Sequence, residues 1–221
     1  MIIAIDGTSA AGKGTLAKRL QEFFDYAYLD TGALYRAVGK CVLDLGQDPC
    51  DEVAATQAAH KLSPEEMLQL QNDSSIRNEI CGAAASKVSA IPSVRQALFD
   101  FQRNFALHPV KEDGTPAKGA ILDGRDIGTV VCPDAQVKLF LSASAEVRAK
   151  RRQKELQEKG ICVIYEDVLN DVKKRDERDS SRATAPLKPA EDALILDTSD
   201  MTIDDVFAHA IEFIQTKAKN K

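Results

Sequence analysis

The sequence predicts an α/β fold in which a five-stranded parallel sheet is flanked by helices. Five short apolar runs are separated by longer segments in which apolar residues recur at helical spacing. Strands that alternate with helices in this way form a parallel sheet with helices on both faces. Ligands of such sheets bind beyond the carboxyl ends of the strands. The runs are Met1–Ile5, Tyr26–Leu29, Ala120–Leu122, Val137–Leu141 and Ala193–Leu196.

The first run leads into a glycine-bearing loop, Gly7–Thr15, with the sequence G-T-S-A-A-G-K-G-T. An amphipathic helix opens at Lys13. Its apolar face carries Leu16, Leu20, Phe23 and Phe24. This strand–loop–helix unit predicts a phosphate site, because the loop N–H groups and the helix N-terminus converge on one point. Lys13 adds a positive charge, and Thr15 offers a hydroxyl to a phosphate oxygen or to Mg²⁺.

Charged motifs also follow the second and third runs. They are Asp30–Arg36, with the sequence DTGALYR, and Asp123–Asp126, with the sequence DGRD. Thr31 is predicted to be the N-cap of a helix that begins in the first of these motifs. Because parallel strands end at one edge of the sheet, we expect the three motifs to lie close together.

A helical insertion is predicted between the second and third strands. Ser63–Glu66 has capping-box spacing with proline at the first helical position, and Ser93–Phe105 carries an apolar stripe at helical spacing. No clear strand is indicated between residues 46 and 105, and Lys111–Lys118 is a polar turn.

Three helices are predicted after the fourth run: Ala145–Lys159, Glu166–Arg182 and a last helix that starts at Thr202. The final KAKNK is expected to fray. The predicted domain organisation is a core (1–30, 107–150 and 186–221), an acceptor-binding insertion (31–106) and a lid (151–185).

Composition narrows the class of protein. The net charge of −5 argues against an extended nucleic-acid surface, and 44% hydrophobic residues in 221 can bury a sizeable core. The five cysteines are scattered, which favours reduced thiols over a metal site or disulfides. No leader and no transmembrane run is expected, which favours a cytoplasmic enzyme without membrane partners. A monomer is the default expectation.

Arginines are the candidate phosphate ligands. Arg36 and Arg125 follow strands, Arg95 lies on an insertion helix, and three more recur at helical spacing in the last charged helix, at 175, 178 and 182. Phosphoryl transfer needs cations from several elements to offset the charge of two nucleotides. The alternative is a solvated, self-paired face. Arg148, Arg151 and Arg152 form a further cluster for which surface and nucleotide roles are equally weighted.

Longer stretches resemble one family over nearly the full chain, the bacterial cytidylate kinases of the nucleoside monophosphate kinase group. The stretches are IDGTSAAGKGT, LDTGALYRA, SKVSAIPSVRQAL, DGRDIGTVV, LQEKGICV, KRDERDSSRATAPL and ALILDTS. The resemblance implies a P-loop NTPase fold and transfer of the γ-phosphate of ATP to CMP or dCMP. Adenylate kinases share only the first motif.

The resemblance also implies site residues. ATP would be bound by Gly7, Thr8, Ser9, Ala10, Ala11, Gly12, Lys13, Gly14 and Thr15, with Mg²⁺ near Thr15. CMP would be bound by Thr31, Tyr35, Arg36, Ser86, Arg95, Arg125, Asp126, Arg175, Asp179 and Arg182. Among these, Arg36 and Arg125 would hold the acceptor phosphate, and Ser86, Arg95 and Asp126 would read the cytosine edge. The catalytic set would be Lys13, Arg125, Arg175 and Arg182.

The chemistry of cytosine agrees with these roles. Its N4 amino group donates a hydrogen bond that Asp126 can accept, while N3 and O2 accept from Arg95. Uracil would place a second acceptor opposite Asp126. Two alternatives stay open at this point: UMP or AMP as the acceptor, and a nucleotide-dependent binding module without fast turnover.

The chain departs from the family pattern in two places. Thr8 and Ala10 stand where proline and glycine are usual, and a Cβ at Ala10 is costly if that residue needs a positive φ. The stretch 62–73 is shorter and more helical than the usual strand-bearing insertion.

Overall fold

The computed structural model describes residues 1–71 and 73–219. The strands are β1 (Ile2–Gly7), β2 (Ala27–Asp30), β3 (Ala120–Gly124), β4 (Val137–Ser142) and β5 (Leu194–Asp197). They form one parallel sheet in the order β2–β3–β1–β4–β5, so the predicted five-stranded parallel sheet is confirmed. This order places β1 in the middle, with the ends of β3 and β4 beside the loop that follows it.

Nine α-helices occur in the described residues. They are α1 (Lys13–Phe24), α2 (Thr31–Asp44), α3 (Glu52–Lys61), α4 (Pro64–Leu70), α5 (Glu79–Val88), α6 (Pro92–Leu107), α7 (Ala145–Glu158), α8 (Tyr165–Ser181) and α9 (Ile203–Lys219). A short 3₁₀ turn covers Ser74–Ile76, and a π-helical turn covers Ile127–Val131. As predicted, the described part of 46–105 contains no strand. Helix α9 includes the first three residues of KAKNK, and the last two lie outside the described residues.

Each face of the sheet packs on its own set of helices, because successive strand residues point to opposite sides. Ala4, Leu29 and Leu122 pack on one side with residues of α2 and α6. Ile3 and Ile5 pack on the other side with residues of α1 and α9. A third, small core joins α7 to α8 through Ala149, Leu156, Val168 and Val172. The predicted lid helices therefore have apolar packing of their own.

Two local details differ from the sequence prediction. The N-cap of α2 is Asp30, whose carboxylate accepts from Ala33 N at 3.1 Å, and not Thr31. Thr31 is already helical, and its hydroxyl instead donates to Asp123 O at 2.7 Å, which ties α2 to the end of β3. Phe23 is 55% exposed, since it lies off the buried stripe of α1 and touches Phe24 and Phe207 through ring edges. The capping box at Ser63 is confirmed.

All five cysteines are free thiols. Within residues 1–71 and 73–219, no helix combines the length and apolarity needed to cross a bilayer.

Candidate active site

The loop Gly7–Thr15 joins β1 to α1 and depends on three residues with positive φ. Gly7 has φ 146°, and a Cβ there would lie 1.9 Å from Leu141 O, so no other residue fits. Gly12 has φ 94° at the start of α1. Ala10 has φ 60°, a left-handed conformation in which an alanine side chain is strained. The sequence-based concern about Ala10 is therefore confirmed.

Protein donors occupy the carbonyl groups of this loop. Thr8 O accepts from Lys13 Nζ at 2.8 Å, Ser9 O from Arg148 Nη1 at 3.3 Å, and Ala11 O from Thr198 Oγ1 at 3.2 Å. The first helical hydrogen bond of α1 is Leu16 N to Gly12 O, so the N–H groups of residues 13–15 precede the helical ladder. With these four carbonyls engaged, the loop presents N–H groups to a phosphate.

The buried carboxylate of Asp123 lies beside the loop, and the buried amine of Lys13 belongs to the loop itself. The Asp123 carboxylate accepts from Tyr28 Oη at 3.3 Å and lies over Gly14, where a Cβ would be 3.6 Å from Asp123 Oδ2. Burial raises the pKa of Asp123, Asp30 raises it further, and Lys13 opposes the shift. Burial, with Arg125 next in effect, lowers the pKa of Lys13. This desolvated cation would gain most from a phosphate at the loop.

A small cavity of about 60 Å³ lies beyond β3. It is lined by eight of the ten residues predicted for CMP: Thr31, Tyr35, Arg95, Arg125, Asp126, Arg175, Asp179 and Arg182. Arg95 and Asp126 form an ion pair in which both side chains are buried. Arg125 Nε donates to Asp179 Oδ2 at 2.9 Å, and the Arg182 guanidinium lies 3.7 Å from Asp179. Arg175 Nε and Arg182 Nη2 are buried without a hydrogen-bond partner, although Arg182 Nη2 is within ion-pair distance of Asp179, and both can donate to a ligand.

The other two predicted CMP residues, Arg36 and Ser86, line a larger adjoining cavity of about 460 Å³. It includes Asp123 and, from the loop, Ser9, Ala10 and Gly14. Six cations and five carboxylates line it, and we call it the cationic cavity because the cations are in excess: Arg36, Arg77, Arg152, Lys174, Arg175 and Arg178 against Asp30, Glu79, Asp123, Glu155 and Asp171. Arg175 lines both cavities, so the larger one, which reaches the loop, adjoins the smaller cavity at this side chain. Such a cationic space can hold phosphates that meet between two nucleotides.

Ser86 and Arg36 are held by contacts across the insertion. Ser86 Oγ accepts from Arg178 of α8, so it lies at the cationic cavity and not beside Asp126. Arg36 donates to Ile76 O at 3.3 Å, and its guanidinium packs on Gly82, where a Cβ would be 3.2 Å from Nη1. Burial lowers the pKa of Arg36.

A third cavity, of about 330 Å³, lies on the other side of the loop. It is lined by Ala11, Gly12, Thr15, Leu16, Arg151, Thr198, Met201, Thr202, Ile203 and Val206. Its walls are largely apolar, with Arg151 and three threonines as polar groups. None of the three histidines, all within the described residues, lines any of these three cavities.

A family model described as cytidylate kinase matches residues 3–216. A cytidylate kinase of Paramagnetospirillum magneticum is 56% identical over 216 residues, which cover 98% of each chain. A cytidylate kinase of Rhodospirillum rubrum is 52% identical over 219 residues, covering 99% of each. The chain belongs to the cytidylate kinase family. It is an ATP-dependent kinase that phosphorylates CMP or dCMP, as the resemblance implied.

The fold has a counterpart among solved structures. A protein from Eubacterium ventriosum superposes with a TM-score of 0.53 and 18% identity, over 98% of both chains. At that identity the likeness concerns the fold alone.

Sequence reasoning on this cytidylate kinase family member missed several residues of the cationic cavity. Arg77 follows no strand, and it enters the cavity because its Nη2 donates to Gln71 O at 2.7 Å and to Asp30 at 3.3 Å. The sequence around Lys174 indicates only a charged helix and no ligand contact. Asp123 directly follows a predicted strand, as the loop motif does, and that position could have indicated a role at the site. In the cluster of Arg148, Arg151 and Arg152, for which surface and nucleotide roles were equally weighted, Arg148 is buried against the loop and Arg152 lines the cationic cavity.

Glycine at position 10 should relieve the strain seen in the loop. The left-handed conformation costs alanine about 1–2 kcal/mol, and the extra freedom of glycine in the unfolded chain offsets roughly 0.5–1 kcal/mol of that gain. Ala10→Gly is therefore expected to leave the free energy of unfolding unchanged or raised by up to about 1 kcal/mol. Ala11→Gly is the control, because Ala11 is buried without a positive φ and should lose about 1 kcal/mol through its buried methyl group and the freer unfolded chain. Urea denaturation compares them, and equal losses in both variants would contradict the strain.

Asp6, at the end of β1, should make stability depend on pH. Its buried carboxylate accepts from Ile127 N at 2.8 Å and Gly128 N at 2.7 Å. Burial raises its pKa from 3.8 to about 6, against the lowering effect of these amides. The folded state thus binds the proton more tightly, so this contribution is full below pH 3.8 and is lost as pH rises through 6.

Asp6→Asn cannot titrate, so it is expected to remove this component of the pH profile. The difference in unfolding free energy, wild type minus variant, should fall by up to about 3 kcal/mol between pH 4 and 7. Urea denaturation of both proteins at four pH values measures it. Parallel profiles would show that Asp6 is already ionised at pH 4.

Proposed function

We propose that the phosphates of ATP bind at Gly7–Thr15 and that CMP or dCMP binds in the small cavity, so that the reacting phosphates meet in the cationic cavity. The single observation that carries this proposal is that Arg175 lines both the small cavity and the larger cavity that reaches the loop. It supports transfer between two bound nucleotides better than binding of one nucleotide by a switch module. Six cationic side chains line the meeting space and can offset the charge of the transferring group.

The residues of the small cavity divide by their chemistry. Asp126 accepts from cytosine N4, and Arg95 donates to the ring acceptors. When the base enters, Arg95 and Asp126 give up part of their contact with each other and form hydrogen bonds to the base edge instead. The cavity then widens beyond its present volume of about 60 Å³. Asp179 and Arg182 contact the sugar. Tyr35 lines the base, and the Arg95 guanidinium lies 5.7 Å from the centre of its ring.

The acceptor phosphate is assigned to Arg36 and Arg125, with Arg175 between acceptor and donor. Thr31 lines this pocket and ties α2 to β3 through its hydroxyl. Ser86 supports the site through its contact with Arg178. Lys13 neutralises the β- and γ-phosphates of the donor. A guanidinium–phosphate contact at about 4 Å contributes about 4 kcal/mol at an effective dielectric of 20, before desolvation. Phosphate contacts therefore supply affinity, and base contacts supply selectivity.

The residues near the loop fit Mg²⁺. Thr15 offers a hydroxyl and Asp123 a carboxylate, which are the hard oxygen ligands that this ion takes. No cluster of three metal-ligating side chains occurs in residues 1–71 and 73–219, which agrees with an ion held mainly by nucleotide phosphates. When bound, Mg²⁺ would neutralise charge on the transferring phosphate. Asp123 would hold it from the side of β3, and Thr15 from α1.

The third cavity is assigned to the adenine of ATP. It adjoins Gly12 and Thr15 of the loop, so a nucleotide whose phosphates occupy the loop can reach it. Apolar walls suit the faces of a flat base, and the threonine hydroxyls and Arg151 can bond its edge.

The remaining proposals concern organisation and setting. Residues 31–106 act as the acceptor-binding insertion and 151–185 as a lid that excludes water from the transfer. The protein is a monomer and works in the cytoplasm, where its five free thiols stay reduced.

A coupled assay of ADP release with CMP, dCMP, UMP, AMP and GMP tests the assignment. CMP and dCMP should have the highest kcat/KM, because an unpaired buried acceptor costs about 1–3 kcal/mol and so disfavours UMP by roughly one to two decades. Equal use of UMP or AMP would refute the role of Asp126 as base reader. Slow turnover with every acceptor would favour the switch module.

A further inference from the structure

Arg148 is a buried cation that joins three parts of the molecule. Its side chain is only 4% exposed. Its Nε donates to Ala143 O at 2.8 Å, in the connection from β4 to α7, and its Nη1 donates to Ser9 O of the loop at 3.3 Å. The two terminal nitrogens also bind the Asp176 carboxylate, at 3.0 Å and 2.5 Å. A guanidinium can make these contacts at once because its donors form a rigid fork.

Asp176 lies on α8 among the residues proposed to contact CMP. Arg175 is its neighbour, and Asp179, three residues on, accepts from Arg125 Nε at 2.9 Å. One end of the Arg148–Asp176 pair therefore lies at the donor loop and the other on the helix that covers the acceptor cavity.

The loop end of this contact is a sensitive point. Ser9 O belongs to the peptide that joins Ser9 to Ala10, and Ala10 has the strained φ of 60°. A cation that holds this carbonyl helps to keep the loop in its phosphate-binding form. The same cation holds α8, so the positions of loop and helix are linked.

We propose that Arg148 and Asp176 are positioning residues that couple donor binding to acceptor binding. The inference rests on the proposed placement of ATP in the loop and CMP beside α8. Arg148 can bond to both Ser9 O and the Asp176 carboxylate only when the loop and α8 are both in the observed arrangement. A ligand that favours this arrangement at one site therefore favours it at the other. Such a coupling is reciprocal and typically changes affinity by about 5–150-fold.

Titration calorimetry measures the coupling factor directly. It is the Kd of CMP for the free protein divided by the Kd of CMP with the loop saturated by a β,γ-imido analogue of ATP and Mg²⁺. We expect a wild-type factor of at least about 5 and a factor of about 1–2 for Asp176→Asn, which keeps the shape but loses the charge. The Kd of the analogue, measured with and without CMP, should give the same ratios.

Two further variants separate coupling from stability. Arg148→Lys keeps the positive charge but loses the several donors of the guanidinium, and it should also lower the coupling factor. The double variant with Asp176→Asn should lower the factor little further, because both changes remove the same contact. Glu146→Gln is the matched control, because Glu146 pairs with Lys173 at 3.6 Å across the same two helices but without contact to the loop. It should retain the wild-type factor.

The outcomes are distinct. The proposal is supported if the coupling factor falls in Asp176→Asn and in Arg148→Lys but stays at the wild-type value in Glu146→Gln. An unchanged factor with weaker binding of each ligand alone would show a merely structural role and overturn it. An equal decrease in Glu146→Gln, or a wild-type factor of 1, would overturn it as well. If CMP does not bind the wild-type protein, the proposed function itself fails, and the coupling falls with it.

Discussion

Asp126→Ala is expected to lower kcat/KM for CMP by about two to three orders of magnitude while the affinity for an ATP analogue changes less than about twofold. The substitution removes the acceptor for cytosine N4 and leaves the buried Arg95 without its ion-pair partner. An unpaired cytosine N4 group in the buried site costs about 1–3 kcal/mol, and Arg95 also loses the partner that orients it toward the base, so the two effects together lower acceptor use. Steady-state kinetics with CMP and calorimetry with the analogue measure the two effects.

Asp126→Asn sharpens this test. Its amide can donate to O4 of uracil, so the ratio of kcat/KM for UMP over CMP should rise by at least about tenfold. Thermal unfolding of both variants reports how much of the loss is global. If CMP and the ATP analogue lose affinity equally, Asp126 supports the fold and does not read the base.

Asp123→Asn should lower kcat by about 100-fold and raise the Mg²⁺ concentration needed for half-maximal rate. The amide keeps the shape of the side chain and can still accept from Tyr28. It loses the charge that would hold the metal against the donor phosphates, whereas the loop N–H groups are untouched. The affinity for the ATP analogue without Mg²⁺ should therefore change little. Magnesium titrations of kcat measure the effect.

Asp134→Asn is a suitable control for Asp123→Asn. Asp134 pairs with Arg103 outside the three cavities of the site. It should leave both kcat and the Mg²⁺ dependence unchanged. A wild-type Mg²⁺ dependence in Asp123→Asn would remove Asp123 from the metal site.

The strand positions were predictable because each strand carries its own signal. Ile2–Gly7 and Val137–Ser142 are mostly apolar, with Asp6 and Lys138 as their charged residues, as expected of strands buried on both faces. The capping box at Ser63 was predictable for the same reason, since its two hydrogen bonds join residues three positions apart. Local periodicity and capping were enough for these elements.

Local patterns were less reliable where two neighbouring residues could serve one role. Asp30 and Thr31 are both good N-caps, and Asp30 caps α2 because the Thr31 hydroxyl finds the carbonyl of Asp123. That carbonyl is 92 residues away in the chain. Phe23 is apolar, yet it is exposed because it lies off the buried stripe of α1 and meets Phe207 of α9 only through a ring edge.

The sequence by itself determined the class of protein, the loop Gly7–Thr15 and the family, because motif residues lie in short contiguous stretches. Only the tertiary structure decided how Ala10 is accommodated, where Ser86 lies and which partners hold Arg148. Arg178 meets Ser86 across 92 residues, and Arg148 meets Asp176 across 28. Such contacts depend on how α7, α8 and the insertion pack together, and no local periodicity encodes that arrangement.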